Sequence, residues 1–160
     1  MILEPPHKKL HISENSQSGI LKSSFAEDYP LNILVADDDF INQMLIGRIL
    51  TKLGYQADIV SNGIQVLDSL KKKNYNVILM DVLMPEMNGF ESTQLIRKMS
   101  IEQPYIIAMT ANSMPQDKVE CLLVGMNDYI AKPMRLPEII KILKNAAVYV
   151  SGKNCTMLFN

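Results

Sequence analysis

Acidic residues gather at two points in this chain of 160 residues. Asp37, Asp38 and Asp39 are consecutive, and Asp81 ends the apolar run that begins at Val77. Thr110 closes another apolar run, and a further one leads into Lys132. If these runs are neighbouring strands of one parallel sheet, their ends converge on one rim, where open sheets bind ligands. Asp37, Asp38 and Asp81 crowded together repel one another and call for a cation. A hard divalent ion with oxygen ligands, Mg²⁺ or Mn²⁺, suits them. A lysine and a hydroxyl beside such an ion suit a phosphoryl group. The ion and Lys132 would neutralise its oxygens while Thr110 hydrogen-bonds one of them. Asp81 is then the acceptor, attacking phosphorus in line to give an acyl phosphate. It needs no general base, because a carboxylate is already ionised near neutral pH. The plainer reading of Asp81 is a turn or cap residue, but Pro85 and Gly89 put the next helix beyond capping reach.

The elements that must position these residues alternate along the chain. Leu31–Ala36 is a first buried strand. Phe40–Leu53 follows as an amphipathic helix, with Ile41, Leu45 and Ile49 on one face and Gly54 as its stop. Tyr55–Val60 is a second strand. A helix runs from Ser61-Asn62-Gly63 through Lys73, with Ile64, Leu67 and Leu70 on one face. The central strand ends at Asp81 and reads as buried on both faces. Phe90–Met99 is the third helix, Tyr105–Thr110 the fourth strand and Gln116–Val124 the fourth helix, ended by Gly125. Asp128–Ala131 is a short fifth strand. After Lys132-Pro133, Leu136–Val150 is the fifth helix, with Ile139, Ile140 and Leu143 inward. Five strands alternating with five helices predict an α/β doubly wound fold with a parallel sheet.

Outside this pattern, residues 1–30 read as a linker or flexible tail. They hold Pro5-Pro6 and a Ser/Asn/Gln cluster. His7 and His11 are four apart, but a solvated tail is the better reading there than a metal site. Residues 31–150 form one domain, and 151–160 read as a fraying tail. The net charge of −1 gives no bulk attraction to nucleic acid or an anionic membrane. No apolar run is long enough to cross a bilayer, and the N-terminus lacks a signal-peptide core. Cys121 and Cys155 are far apart and read as free thiols of a reducing, cytoplasmic compartment. The eleven methionines read as core filler.

Four segments in order carry a family resemblance over about Leu31 to Lys144. They are Leu34-Val-Ala-Asp-Asp38, Leu79-Met-Asp-Val-Leu-Met-Pro-Glu-Met-Asn-Gly89, Met109-Thr-Ala-Asn112 and Asp128-Tyr-Ile-Ala-Lys-Pro133. Together they resemble the receiver (response-regulator) domains of two-component phosphorelays. Ile33-Leu-Val-Ala36, Asn42-Gln43 and the Met-Thr-Ala-Asn segment look like the type attached to hybrid histidine kinases. The linker before Leu31 fits a cut from such a longer chain. The resemblance implies a flavodoxin-like sheet of order 2-1-3-4-5. It makes Asp81 the phospho-acceptor and Asp38 a direct Mg²⁺ ligand. Asp37 would bind mainly through water, and the carbonyl of Leu83 would complete the protein ligands. Lys132 would pair with the phosphoryl group, and its bond to Pro133 is often cis in the family. Thr110 and Tyr129 would be a switch pair that alters the face made by the fourth helix, fifth strand and fifth helix. Partners would be a histidine kinase core or a histidine phosphotransfer protein, meeting a monomer at the rim around Asp81 and the first helix. There Ile41, Met44 and Leu45 are candidate contacts, with Leu45 the best core candidate of the three.

Two details depart from the commonest pattern. Asp39 stands where hybrid-type receivers often have Asn, and is expected to cap the helix rather than meet the metal. Leu83 is apolar and cannot position an attacking water, so the acyl phosphate is expected not to be unusually short-lived. Two rivals remain. Asp37-x-Asp39 also matches haloacid-dehalogenase-type phosphatases, with Asp37 as nucleophile and Asp39 as acid/base, but leaves Asp81 without a role. A receiver-like interaction module that is never phosphorylated is the other.

Overall fold

The computed structural model describes residues 21–112 and 114–157, with side chains from Phe25 to Lys153. The strands are β1 (Ile33–Ala36), β2 (Asp58–Val60), β3 (Val77–Asp81), β4 (Tyr105–Thr110) and β5 (Asp128–Ala131). The helices are α1 (Leu21–Asp28), α2 (Phe40–Lys52), α3 (Gly63–Lys72), α4 (Gly89–Lys98), α5 (Pro115–Leu123) and α6 (Leu136–Met157). All strand pairs are parallel and the order is β2-β1-β3-β4-β5. The doubly wound reading and its strand order hold.

Each central strand is buried throughout, as a sheet covered on both sides requires. Alternate residues feed two cores. Ile33, Val35, Leu79, Ile107 and Met109 face one, filled by Ile46 and Leu50 of α2 and Ile139 and Leu143 of α6. Leu34, Ile78, Met80 and Ile106 face the other, filled by Val66 and Leu70 of α3, Ile96 of α4 and Cys121 of α5. Period-two strands between period-3.6 helices leave little freedom in where the strand ends fall.

Several expectations need correction. The segment read as a linker holds α1, whose Phe25 and Ala26 pack on the first core. At the other end α6 continues past Val150 to Met157. That makes six helices among the described residues rather than five. β2 starts at Asp58, not Tyr55, because it is an edge strand paired for only three residues. Tyr55 turns inward instead, donating its hydroxyl to the Tyr29 carbonyl at 2.6 Å and meeting the Phe25 ring edge-on.

In α2 the inward stripe is Ile46 and Leu50, with Ile49 at its margin. Leu45 is exposed at 38% and is not core. In α3 the buried stripe is Gly63, Val66 and Leu70, leaving Ile64 exposed. In α2 the buried stripe lies one residue on from the expected one, whereas in α3 Leu70 is inward as expected and only Ile64 gives way, to Gly63 and Val66. His7, His11 and the Cys155 side chain lie outside the described residues.

Candidate phosphoryl and metal site

The parallel register brings the strand ends together. Ala36 pairs with Met80 and Asp81 with Met109, so Asp37 and Asp81 leave adjacent strands side by side. Thr110 pairs with Ala131, which places Lys132 one residue beyond the same rim. Lys132 Nζ lies 2.9 Å from Asp37 Oδ2 and 2.9 Å from Asp81 Oδ2. Asp81 Oδ2 accepts a hydrogen bond from this ammonium, and Asp37 Oδ2, fully buried, is paired with the same ammonium.

Local structure fixes the acids. Asp39 caps α2, its carboxylate accepting from Asn42 N at 2.9 Å, as the sequence predicts. Asp37 Oδ1 accepts from Asp39 N at 2.9 Å. Asp81 Oδ1 accepts from the Leu83 amide at 3.2 Å. The Leu83 side chain is apolar and 77% exposed.

Beyond Leu83 the chain turns tightly at Pro85, where Met87 N donates to Pro85 O at 2.7 Å and Glu86 takes a φ of 65°. The Glu86 carboxylate is held by Asn62 Nδ2 at 3.2 Å. Gly89 then opens α4 against the end of β3, its amide donating to Val82 O at 2.9 Å. A Cβ at Gly89 would collide with the Asp81 carbonyl. Asn88 and Glu91 close this helix start as a reciprocal capping box.

Burial raises the Asp81 carboxyl above its ordinary value, and the negative charge of Asp37 adds to this. The Lys132 hydrogen bond and charge, with the Leu83 amide, pull the other way without cancelling it. For Lys132, burial works to lower the ammonium, but the contacts to Asp37 and Asp81 outweigh it and the net shift is upward. The site thus holds more negative charge than one lysine satisfies.

Carboxylate oxygens of Asp37, Asp38 and Asp81 all lie within 4.8 Å of one another. Three carboxylates at that spacing, sharing one lysine between two of them, fit a divalent cation. Asp38 is exposed, so an ion there would also meet water.

Thr110 and Tyr129 stand on neighbouring strands. Thr110 is buried, and its hydroxyl is occupied within its own turn, donating to Asn112 O at 2.9 Å and accepting from Asn112 N at 3.1 Å. Tyr129 is half-buried beside the second core, with Lys118 Nζ 4.5 Å from its ring centroid. The Lys132–Pro133 bond is cis. Asp37, Asp38, Asp81 and Lys132 come together at the rim, while Thr110 ends β4 with its hydroxyl on Asn112 and Tyr129 packs beside the second core. Asp39 caps α2 through one carboxylate oxygen, and the dehalogenase-type reading still leaves Asp81 without a role.

Sequence reasoning missed the supports. Gln43 was read only as a family marker, yet its amide grips the Asp37 carbonyl at 2.6 Å. A long amide one turn into the helix after an acidic run was the available signal. Gly63 is expected only as part of a helix start; a Cβ there would meet Met87 and Ser92 at under 3.0 Å, so the glycine lets α3 approach α4.

The fold and the rim define a receiver. A sequence profile of the response regulator receiver domain matches residues 33–144, and the chain belongs to that family. It is similar to hybrid signal transduction histidine kinase B of Dictyostelium discoideum, 41% identical over 120 residues, which cover 68% of this chain and 6% of that protein. The chain spans less than a tenth of the length of that relative and of two further histidine kinases it matches. Among solved structures it resembles the receiver domain of the sensor histidine kinase PA1611 of Pseudomonas aeruginosa, at TM-score 0.66 and 38% identity. That likeness covers 73% of this chain and 97% of the other, and the structure has a magnesium ion coordinated in its active site cleft. It also resembles the receiver domain of Ssk1 of Saccharomyces cerevisiae, solved with the histidine phosphotransfer protein Ypd1. There the TM-score is 0.68 and the identity 29%, over 74% of this chain and 89% of the other.

Proposed function

We propose that this chain is the phospho-accepting receiver of a phosphorelay, taking a phosphoryl group from phosphohistidine onto Asp81. The observation that carries the reading is Lys132, whose ammonium sits 2.9 Å from both Asp37 and Asp81 at the rim. Asp81 Oδ attacks phosphorus, the P–N bond to the donor imidazole breaks, and its electron pair stays on the imidazole nitrogen, which takes up a proton. Lys132 exchanges part of its pairing with Asp81 for a phosphoryl oxygen. The Thr110 hydroxyl swings from Asn112 to another oxygen, and the Tyr129 ring follows into the space left, shifting the population of the α5–β5–α6 face. Asp37, Asp38, Asp81 and the Leu83 carbonyl would hold Mg²⁺, or Mn²⁺ in its place. Bound there, the ion supplies positive charge against the phosphoryl oxygens as charge develops.

The donor, and the partner downstream, would be a histidine kinase core or a histidine phosphotransfer protein. Phe40, Ile41, Met44 and Leu45 are exposed on α2 beside the rim. Phe40, Met44 and Ile59 line an open groove of about 690 Å³ between α2 and β2, with Arg48 and Lys52 among its walls. An apolar helix face carrying acidic residues would suit it. Among the described residues no helix is long and apolar enough to cross a membrane. A reducing, cytoplasmic setting fits the buried, free Cys121 thiol.

The test is intact mass after incubation with acetyl phosphate, with and without Mg²⁺, for the native chain and Asp81→Asn. A metal-dependent gain of one phosphoryl group in the native chain alone is expected. No gain from acetyl phosphate or from a phosphorylated phosphotransfer protein would leave a non-phosphorylated interaction module as the better reading.

A further inference from the structure

Gln43 sits in the first turns of α2, outside the acidic cluster, and both hydrogens of its amide are in use. Nε2 donates to the Asp37 carbonyl at 2.6 Å and to Ser61 Oγ at 3.1 Å. The Asp37 carbonyl belongs to the peptide unit that joins Asp37 to Asp38. These are two of the three acids that converge on the rim. On its other side Asp37 is tied to the edge of the sheet, its amide donating to Val60 O at 3.1 Å. Ser61 is itself fixed, its amide donating to Gln65 Oε1 of α3 at 2.8 Å. Gln43 thus joins α2, the end of β2 and the acidic turn at one atom.

We propose that Gln43 is a positioning residue for the divalent ion. By gripping the peptide between Asp37 and Asp38 it sets how far apart their carboxylates stand. Asp37 is fully buried and paired with Lys132, while Asp38 is exposed and follows it directly in the chain. Two like charges on adjacent residues separate when the backbone allows it. Without the Gln43 tether the turn relaxes outward, and an ion must draw it back before both acids can bind. Outer partners that orient metal ligands typically matter by about 10–100-fold in affinity. A single neutral amide acting through the backbone belongs near the lower end, about tenfold.

The inference rests on the reading of the rim as a divalent-ion site. It is tested on the full chain by titration with Mn²⁺, following the free ion by electron paramagnetic resonance. The variants are Gln43→Met, Gln43→Glu and Ser61→Ala, and metal-free thermal unfolding is recorded for each. Gln43→Met keeps length without a donor and should weaken Mn²⁺ binding about tenfold. Gln43→Glu sets a carboxylate against the Asp37 carbonyl and should weaken it at least as much. Ser61→Ala leaves the grip on Asp37 in place and should stay within about twofold of native.

Affinity in Gln43→Met equal to native overturns the proposal. So does an equal loss in Ser61→Ala, which would make the effect one of general packing between α2 and β2. If Gln43→Met does not fold, Gln43→Glu decides in the same way. A native chain that binds no Mn²⁺ sinks the ion site itself. Native binding with unaltered variants sinks only the role of Gln43.

Discussion

At the carboxyl end of the sheet, the carboxylates of Asp37 and Asp81 share one ammonium, that of Lys132, with Asp38 close by. At the amino end, Arg97 alone donates to the carbonyls of Gly125 and Pro104 and to the side chains of Gln103 and Asn127, at 2.8–2.9 Å. Gln103 in turn donates to Ile96 O and Met99 O, and Asn127 Oδ1 also accepts from Ile106 N. Asn76 Oδ1 accepts from Asn32 N at 2.8 Å between β1 and β3. One end pairs these polar groups with one another. The other gathers charges that the protein does not satisfy by itself. The first arrangement stabilises a fold, and the second is what a site for an added cation and anion requires.

The contrast can be broken from either end. The largest effect is expected from Asp81→Asn, which should abolish phosphorylation from any donor, read by intact mass. The same substitution should leave the metal-free domain no less stable at neutral pH. The sign follows from Asp81, whose carboxyl is raised in the fold by burial. A raised acid favours folding below its unfolded pKa, and that contribution is lost as pH rises through its folded value. At neutral pH the charge therefore opposes folding, and deleting it relieves the fold. A marked drop in metal-free Tm for Asp81→Asn would contradict this.

Next in size is Gly89→Ala. Its Cβ would drive α4 against the Asp81 carbonyl, so both stability and phosphorylation rate should fall together. Arg97→Met should do the reverse of Asp81→Asn. It leaves several carbonyls and amides without donors, costing about 1–3 kcal/mol in denaturant unfolding, while Mg²⁺-dependent phosphorylation of the folded fraction persists. An Arg97→Met protein that folds normally but cannot be phosphorylated would erase the division between the two ends. The smallest effect belongs to Leu83→Asn. Its amide could place a water near the acyl phosphate, so radiolabel should decay severalfold faster than in the native chain. Slower decay in Leu83→Asn would count against that role.

The chemistry-bearing end was the more legible in sequence. Asp37, Asp38, Asp81, Thr110 and Lys132 each end an apolar run, and a parallel sheet with short connections leaves such ends only one rim to share. The amino end was not legible. Arg97, Gln103 and Asn127 look like ordinary helix and loop residues, and their bonds span up to about thirty positions with no periodic signal. α1 was missed because its eight residues carry a weak pattern. It is held by tertiary contacts, Ala26 N to Leu53 O and the Phe25–Tyr29–Tyr55 rings, rather than by propensity. The phase errors at Leu45 and Ile64 share a cause. In helices with apolar residues on more than one face, the stripe that is buried is chosen by the sheet beneath it.

Helix α1 and the far part of α6 meet the same pole of the molecule. Tyr29 lies under Lys144 of α6, and further along α6 Tyr149 stacks near Tyr105 at the start of β4 while Lys153 reaches Gln103 O. The acidic rim is at the opposite pole. A change in how α1 or the far part of α6 packs therefore reaches Tyr29, Tyr55, Tyr105 and Gln103 before it reaches Asp37, Asp81 or Lys132.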